Sequence, residues 1–180
     1  MKLPLIARWG GLATACGLCA ALIPGAAIAS GSASNTLTPS ASVTQNCTIA
    51  SSNLVFGPYD PVVANATSNL TGSTTVAVQC TKNASGVTVT ADGGKNTGVA
   101  TSGDRAMLGV AATPDHLNYQ LYTNSGLTTV WSLSGGNSLV VPTFTTGLTP
   151  FNLNIYGQVF GGQDVQPDTY SDTVNMTVNF

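Results

Sequence analysis

The side chains able to do chemistry in this 180-residue chain are few: one histidine, seven aspartates, no glutamate and four cysteines. A hydrolytic triad needs a nucleophile against a histidine that a carboxylate orients. His116 follows Pro114-Asp115 on an expected loop, and no serine sits in a nucleophile-elbow motif. Asp164, Asp168 and Asp172 recur every four residues. Paired, they could serve acid–base work, and Asp168 with Asp172 and loop carbonyls could hold Ca²⁺. They also lie where a turn runs into a strand, a place that needs short acceptors for its own backbone. Trp131 and Tyr59 could stack on a sugar, but core packing accounts for them too. No catalytic residue, metal site or cofactor is therefore expected, and the chain is read as a non-enzyme.

The elements that would position these groups begin after a leader. Lys2 and Arg8 precede an apolar run over residues 10–23, Pro24-Gly25 breaks it, and Ala27-Ile28-Ala29 has the small-x-small pattern of a cleavage site. Residues 1–29 are thus expected to be a secretory signal peptide. A membrane anchor would need a longer and less Ala/Gly-rich run, so no membrane insertion of the mature chain is expected. Beyond residue 29, Lys82, Lys95 and Arg105 face seven aspartates, a net charge of −4. That balance disfavours nucleic acid and anionic membranes as partners, since both demand basic patches. Polarity comes instead from Thr, Ser, Asn and Gly, as in an exported β-protein.

Cys16 and Cys19 leave with the leader. Cys47 and Cys80 remain, and two cysteines in an exported chain usually pair. A loop of about 33 residues closed this way is worth roughly 3–4 kcal/mol on the chain-entropy model.

Short alternating runs recur along the rest of the chain, with no helical periodicity outside the leader. Strands are expected at residues 54–56, 74–80, 87–91, 117–121, 130–133, 139–141 and 153–159, with Asp92-Gly93-Gly94 as a hairpin turn signal. Such spacing implies an antiparallel, immunoglobulin-like sandwich. The two ends stand out. Val174, Met176, Val178 and Phe180 alternate with polar residues up to the last residue, so the sandwich is expected to lack its closing strand and to leave an edge and an apolar groove open. Ahead of Cys47, Leu37, Pro39, Ala41 and Val43 alternate in a segment with no assigned partner. A spare strand and a missing strand in one chain suit a head-to-tail polymer. A segment that closes its own sandwich, or a disordered leader, is the other reading. Tyr170, at the start of the last strand, resembles a tyrosine corner.

The order and spacing of several short motifs carry a resemblance. They are Cys47-Thr48-Ile49, Phe56-Gly57-Pro58-Tyr59-Asp60, Thr75-Val76, Cys80-Thr81-Lys82, Arg105-Ala106-Met107, Leu117-Asn118-Tyr119-Gln120-Leu121-Tyr122, Trp131, Tyr156-Gly157-Gln158-Val159, and the block from Pro167-Asp168-Thr169-Tyr170 to Ser171-Asp172-Thr173-Val174. Over residues 43–180 the chain resembles the spore coat protein U domain family, which includes subunits of archaic (Csu-type) chaperone–usher pili. Asp168 stands where the family commonly has Gly, and Trp131-Ser132 where it commonly has Trp-Gly.

The resemblance implies an all-β, incomplete immunoglobulin-like antiparallel β-sandwich lacking its last strand and completed by donor-strand exchange. Its parts would be a signal peptide (1–29), a donor-strand extension (30–43) and the pilin domain (44–180). Leu37, Pro39, Ala41 and Val43 would be donor residues. Val174, Met176, Val178 and Phe180 would line the acceptor edge that also faces the chaperone, and Cys47 and Cys80 would tie the first strand to the second. Implied partners are identical or related subunits, a periplasmic chaperone and an outer-membrane usher. The implied place is the cell surface, in a pilus serving adhesion and biofilm formation. A spore- or cell-coat protein of the same fold and a sugar- or surface-binding adhesin are the alternatives. Pro39 and Ala41 are small, which taken alone predicts a weak joint between subunits.

Overall fold

The computed structural model describes residues 30–96, 105–132 and 137–180. The expected signal peptide lies outside the described residues. The chain forms two units, Met1–Ser40 and Ala41–Phe180. In the first, residues 30–40 are exposed and have no regular secondary structure. No helix among the described residues is long and apolar enough to cross a membrane.

The second unit is built from β1 (Cys47–Ser51), β2 (Leu70–Cys80), β3 (Thr88–Ala91), β4 (Arg105–Leu108), β5 (His116–Tyr122), β6 (Leu139–Val140), β7 (Phe151–Val159) and β8 (Met176–Asn179). They make a five-stranded sheet in the order β1-β2-β7-β5-β4 and a three-stranded sheet in the order β6-β3-β8. Every pairing is antiparallel. The period-2 pattern sets which face turns inward. On β2 it is Val76, Val78 and Cys80, on β3 Val89 and Ala91, and on β7 Leu153, Ile155 and Val159, all buried in one core with Trp131 and Phe144. The result is the expected all-β, immunoglobulin-like class.

Four expectations are corrected. Asp92-Gly93-Gly94 does not close a hairpin: β3 pairs with β6 and β8, while β4 pairs with β5 in the other sheet. Asp92 spends its carboxylate on the start of β8 instead. Residues 54–56 form no strand, because the β1–β2 ladder stops at Ser52, whose N–H reaches Thr75 O at 3.3 Å. Residues 130–132 contribute only a bridge, Val130 to Tyr122. His116 begins β5 opposite Leu108 and is not in a loop.

β5 is buried on both faces. Leu117, Tyr119 and Leu121 enter the core, and Asn118 and Gln120 are also buried. Their polar groups are satisfied: Gln163 bonds both main-chain groups of Asn118, and the Arg105 guanidinium donates to Gln120 Oε1. Arg105 is itself buried and donates further to the carbonyls of Asp92 and Trp131, the second at 2.8 Å. A buried charge persists only with such partners.

Candidate functional site: an open groove beside the last strand

β8 pairs with β3 on one side, from Thr88 opposite Asn179 to Ala91 opposite Met176. It is one of the two outer strands of its sheet, with β6 the other, as β1 and β4 are of the five-stranded sheet. Val174, Met176 and Val178 are half-buried against the core, and Phe180 is 56 % exposed. Of the residues expected at an acceptor edge, three therefore face inward beside an edge that β3 does not occupy.

Two adjoining cavities lie beside the stretch that leads into β8: the first reaches β8 at Met176, and the second is bounded by residues 165–170. The first, about 400 Å³, is walled by Val76, Tyr119, Trp131, Ile155, Val174 and Met176. The second, about 710 Å³, is walled by Tyr59, Leu70, Leu117, Val159 and Val165. Leu54, Val55, Phe56, Met107 and Tyr170 line both, so they form a waist between the two. The lining is mostly apolar, with Asp172 on the wall of the first cavity and Asp168 on that of the second, which suits a hydrophobic side chain better than a small polar substrate.

The waist has a sequence cause. Gly72 on β2 and Gly157 on β7 are directly opposite each other in register. Together they remove two side chains from the inner face of the five-stranded sheet. Leu54 and Phe56 settle into this notch. A Cβ on Gly157 would lie 2.6 Å from Leu54 Cδ2 and 2.7 Å from Phe56 Cζ, and one on Gly72 would lie 3.2 Å from each side chain. Val55 between them points out and is 78 % exposed. Phe56 also meets the Tyr119 ring edge-on, with centroids 6.0 Å apart. Residues 54–56 are therefore a strap laid on the sheet, and sequence reading missed it. The signal was present, since glycine inside a strand marks close approach of another segment.

Polar contacts hold the rim. Tyr170 donates its hydroxyl to Gln166 O at 2.7 Å, the tyrosine-corner arrangement. Burial raises the Tyr170 pKa, helped by the nearby charges of Asp115 and Asp168. Tyr119 donates to Asp172 Oδ2 at 2.8 Å, and burial, then this bond, push its phenol far above the ordinary range. Asp172 also accepts from the main-chain N–H groups of Lys95 and Thr173 and from Asn96 Nδ2. Asp168 accepts from Ala111 N and Thr169 N, which hold its pKa below 3.8. Each carboxylate is thus committed to fixing loops. No group of three or more His, Cys, Asp or Glu among the described residues is arranged to hold a metal ion.

Cys47 and Cys80 are opposite each other on β1 and β2 and form a disulfide, S–S 2.03 Å. Leu37, Pro39, Ala41 and Val43 are all exposed and lie outside any strand, with Leu37 at 90 % and Val43 at 88 %.

Residues 33–177 match the model of the Spore Coat Protein U domain. Protein U of Myxococcus xanthus is 36 % identical over 131 residues, 71 % of either chain. A chain of the CsuC–CsuE chaperone–tip adhesion subunit pre-assembly complex, from the archaic chaperone–usher Csu pili of Acinetobacter baumannii, shares the fold at a TM-score of 0.51 and 23 % identity. That likeness covers 77 % of this chain but 40 % of the other. The Hda pilus minor tip subunit HdaB of E. coli aligns at a TM-score of 0.36 and 14 % identity, over 74 % of this chain and 79 % of that one.

Proposed function

This chain belongs to the Spore Coat Protein U domain family, and from that premise we propose that it is a structural subunit of a surface pilus and not an enzyme. Export through the periplasm would follow the signal peptide of residues 1–29. A periplasmic chaperone would hold the open edge first, and an outer-membrane usher would exchange it for the donor strand of the next subunit. The pilus would serve adhesion and biofilm formation.

The observation that carries this reading is the edge of β8 with which no strand among the described residues pairs, next to an apolar groove that reaches β8 at Met176, in a molecule that also has an exposed alternating segment at Leu37, Pro39, Ala41 and Val43. A ten-residue donor reaches about 34 Å. It would add a ladder of main-chain hydrogen bonds to β8, and each large apolar side chain buried would contribute roughly 1.5–3 kcal/mol. The test is deletion of residues 30–43 followed by electron microscopy of cells. Loss of fibres is expected, and normal fibres built from the truncated protein overturn the proposal.

One observation favours a second reading, a coat protein of the same fold. Identity to Protein U, 36 %, exceeds the 23 % to the Csu chain. Chaperone and usher genes beside the gene for this chain would support the pilus, and their absence the coat.

A further inference from the structure

The groove is not uniform. Its two cavities are separated by the waist of Leu54, Phe56, Met107 and Tyr170. The chain itself supplies the filling: the strap lies on the inner face of the five-stranded sheet, in the space that Gly72 and Gly157 vacate. The proposed donor has the complementary shape. Leu37 and Val43 are its large residues and stand at the ends of the alternating face, while Pro39 and Ala41 are small and stand in the middle.

The dimensions agree as well. On β2, Leu70 lines one cavity and Val76 the other, six residues apart. Leu37 and Val43 are also six residues apart. Both spans are about 20 Å of extended chain. A donor strand from a second copy that runs beside residues 165–176 and is centred on the waist would put one large side chain in each cavity and two small ones over the waist.

We infer that the strap at Leu54 and Phe56 is the size-determining element of the groove, selecting donor strands from a second copy that are large at both ends and small in the middle. Pro39 and Ala41 are then fitted to the site, and their small size is not a defect. Pro39 gives up a main-chain donor, but its flat ring fits over a filled floor. Overpacking a filled site is destabilising, whereas the same side chain over an emptied site gains contacts.

This inference rests on the pilus reading, and the experiment separates the two. Fibres of the full chain are prepared as wild type, Ala41→Leu, Leu54→Ala and the double variant, and their dissociation is timed in guanidinium chloride. Ala41→Leu is expected to speed dissociation about tenfold in the wild-type groove and to slow it in the Leu54→Ala groove. Such a change of sign cannot come from independent effects on each partner. Phe56→Leu, a milder opening of the waist, replaces Leu54→Ala if that variant fails to fold. The inference is overturned if Ala41→Leu slows dissociation of wild-type fibres, or acts equally in both grooves. A chain lacking residues 30–43 is tested alongside: if it still polymerises, the pilus reading and the inference fall together.

Discussion

Asp92 and Asn175 clamp the last strand to its neighbour with three hydrogen bonds. Asn175 donates its main-chain N–H to Asp92 Oδ1 at 2.9 Å and its side-chain amide to Asp92 Oδ2 at 2.6 Å, while Asp92 N donates to Asn175 O at 3.0 Å. The clamp sits where β8 begins. β8 itself has four residues in register with β3, so these bonds are a large share of what holds the groove's edge in place.

The first prediction concerns acid. Burial works to raise the Asp92 pKa, but the bonds from Asn175 and Gly94 and the Arg105 charge outweigh it, leaving it below 3.8. A folded pKa below the unfolded one means that the unfolded chain takes up protons first as pH falls. The stabilisation is therefore complete above about pH 4 and is lost as pH drops through the folded value. Asp92→Asn should cost about 1 kcal/mol at pH 5, discounted for partial exposure. The gap to wild type should narrow by pH 2.5 in urea titrations. An equal gap at both pH values would refute a charge-dependent clamp.

Much of the fold was legible in the residues because strands buried on one face declare themselves. Leu153, Ile155, Gly157 and Val159 alternate along β7, and all four are buried. The parts that were not legible depend on contacts distant in sequence. Asp92-Gly93-Gly94 has the composition of a tight turn, and nothing local announces that its carboxylate serves Asn175, 83 residues away. Residues 54–56 have strand composition, but the notch at Gly72 and Gly157 offers their side chains a floor in place of a ladder. At the candidate site, the alternation of Val174, Met176 and Val178 was readable, whereas the waist was not, because it joins three separate stretches of chain.

Removing the disulfide tests how far β1 depends on it. β1 is an outer strand whose ladder runs only to β2, and Cys47 is opposite Cys80 at its first rung. With the cysteines 33 positions apart, replacing both by alanine should cost about 3–4 kcal/mol. Hydrogen exchange should show β1 losing protection before β7, which has β2 and β5 on its two sides. Uniform loss across the sheet would show that β1 is not the weak element.

Gly157→Ala tests the strap. The added methyl would lie 2.6 Å from Leu54 Cδ2 and 2.7 Å from Phe56 Cζ, so the ends of both side chains must shift. A cost of about 1–3 kcal/mol is expected from overpacking. In a Leu54→Ala background the same change should cost clearly less, since part of the obstruction is gone. Equal costs in the two backgrounds would mean that the strap does not occupy the notch in solution.

Two tyrosines rank the polar contacts around the groove. Tyr119 donates to a carboxylate and Tyr170 to a carbonyl, and bonds to charged groups are the stronger. Tyr170→Phe should cost about 0.5–1.5 kcal/mol, and Tyr119→Phe about 1.5 kcal/mol or slightly more. Asp172 keeps donors from Lys95, Asn96 and Thr173, which holds the second value near the lower end of its range. The titration of Tyr119 gives an independent check. Burial and the Asp172 bond keep its proton on, so wild type and Tyr119→Phe should show the same ultraviolet phenolate rise with pH while the fold persists. A wild-type excess of one phenolate below the unfolding pH would mean that Tyr119 is open to solvent and that the first cavity is walled differently.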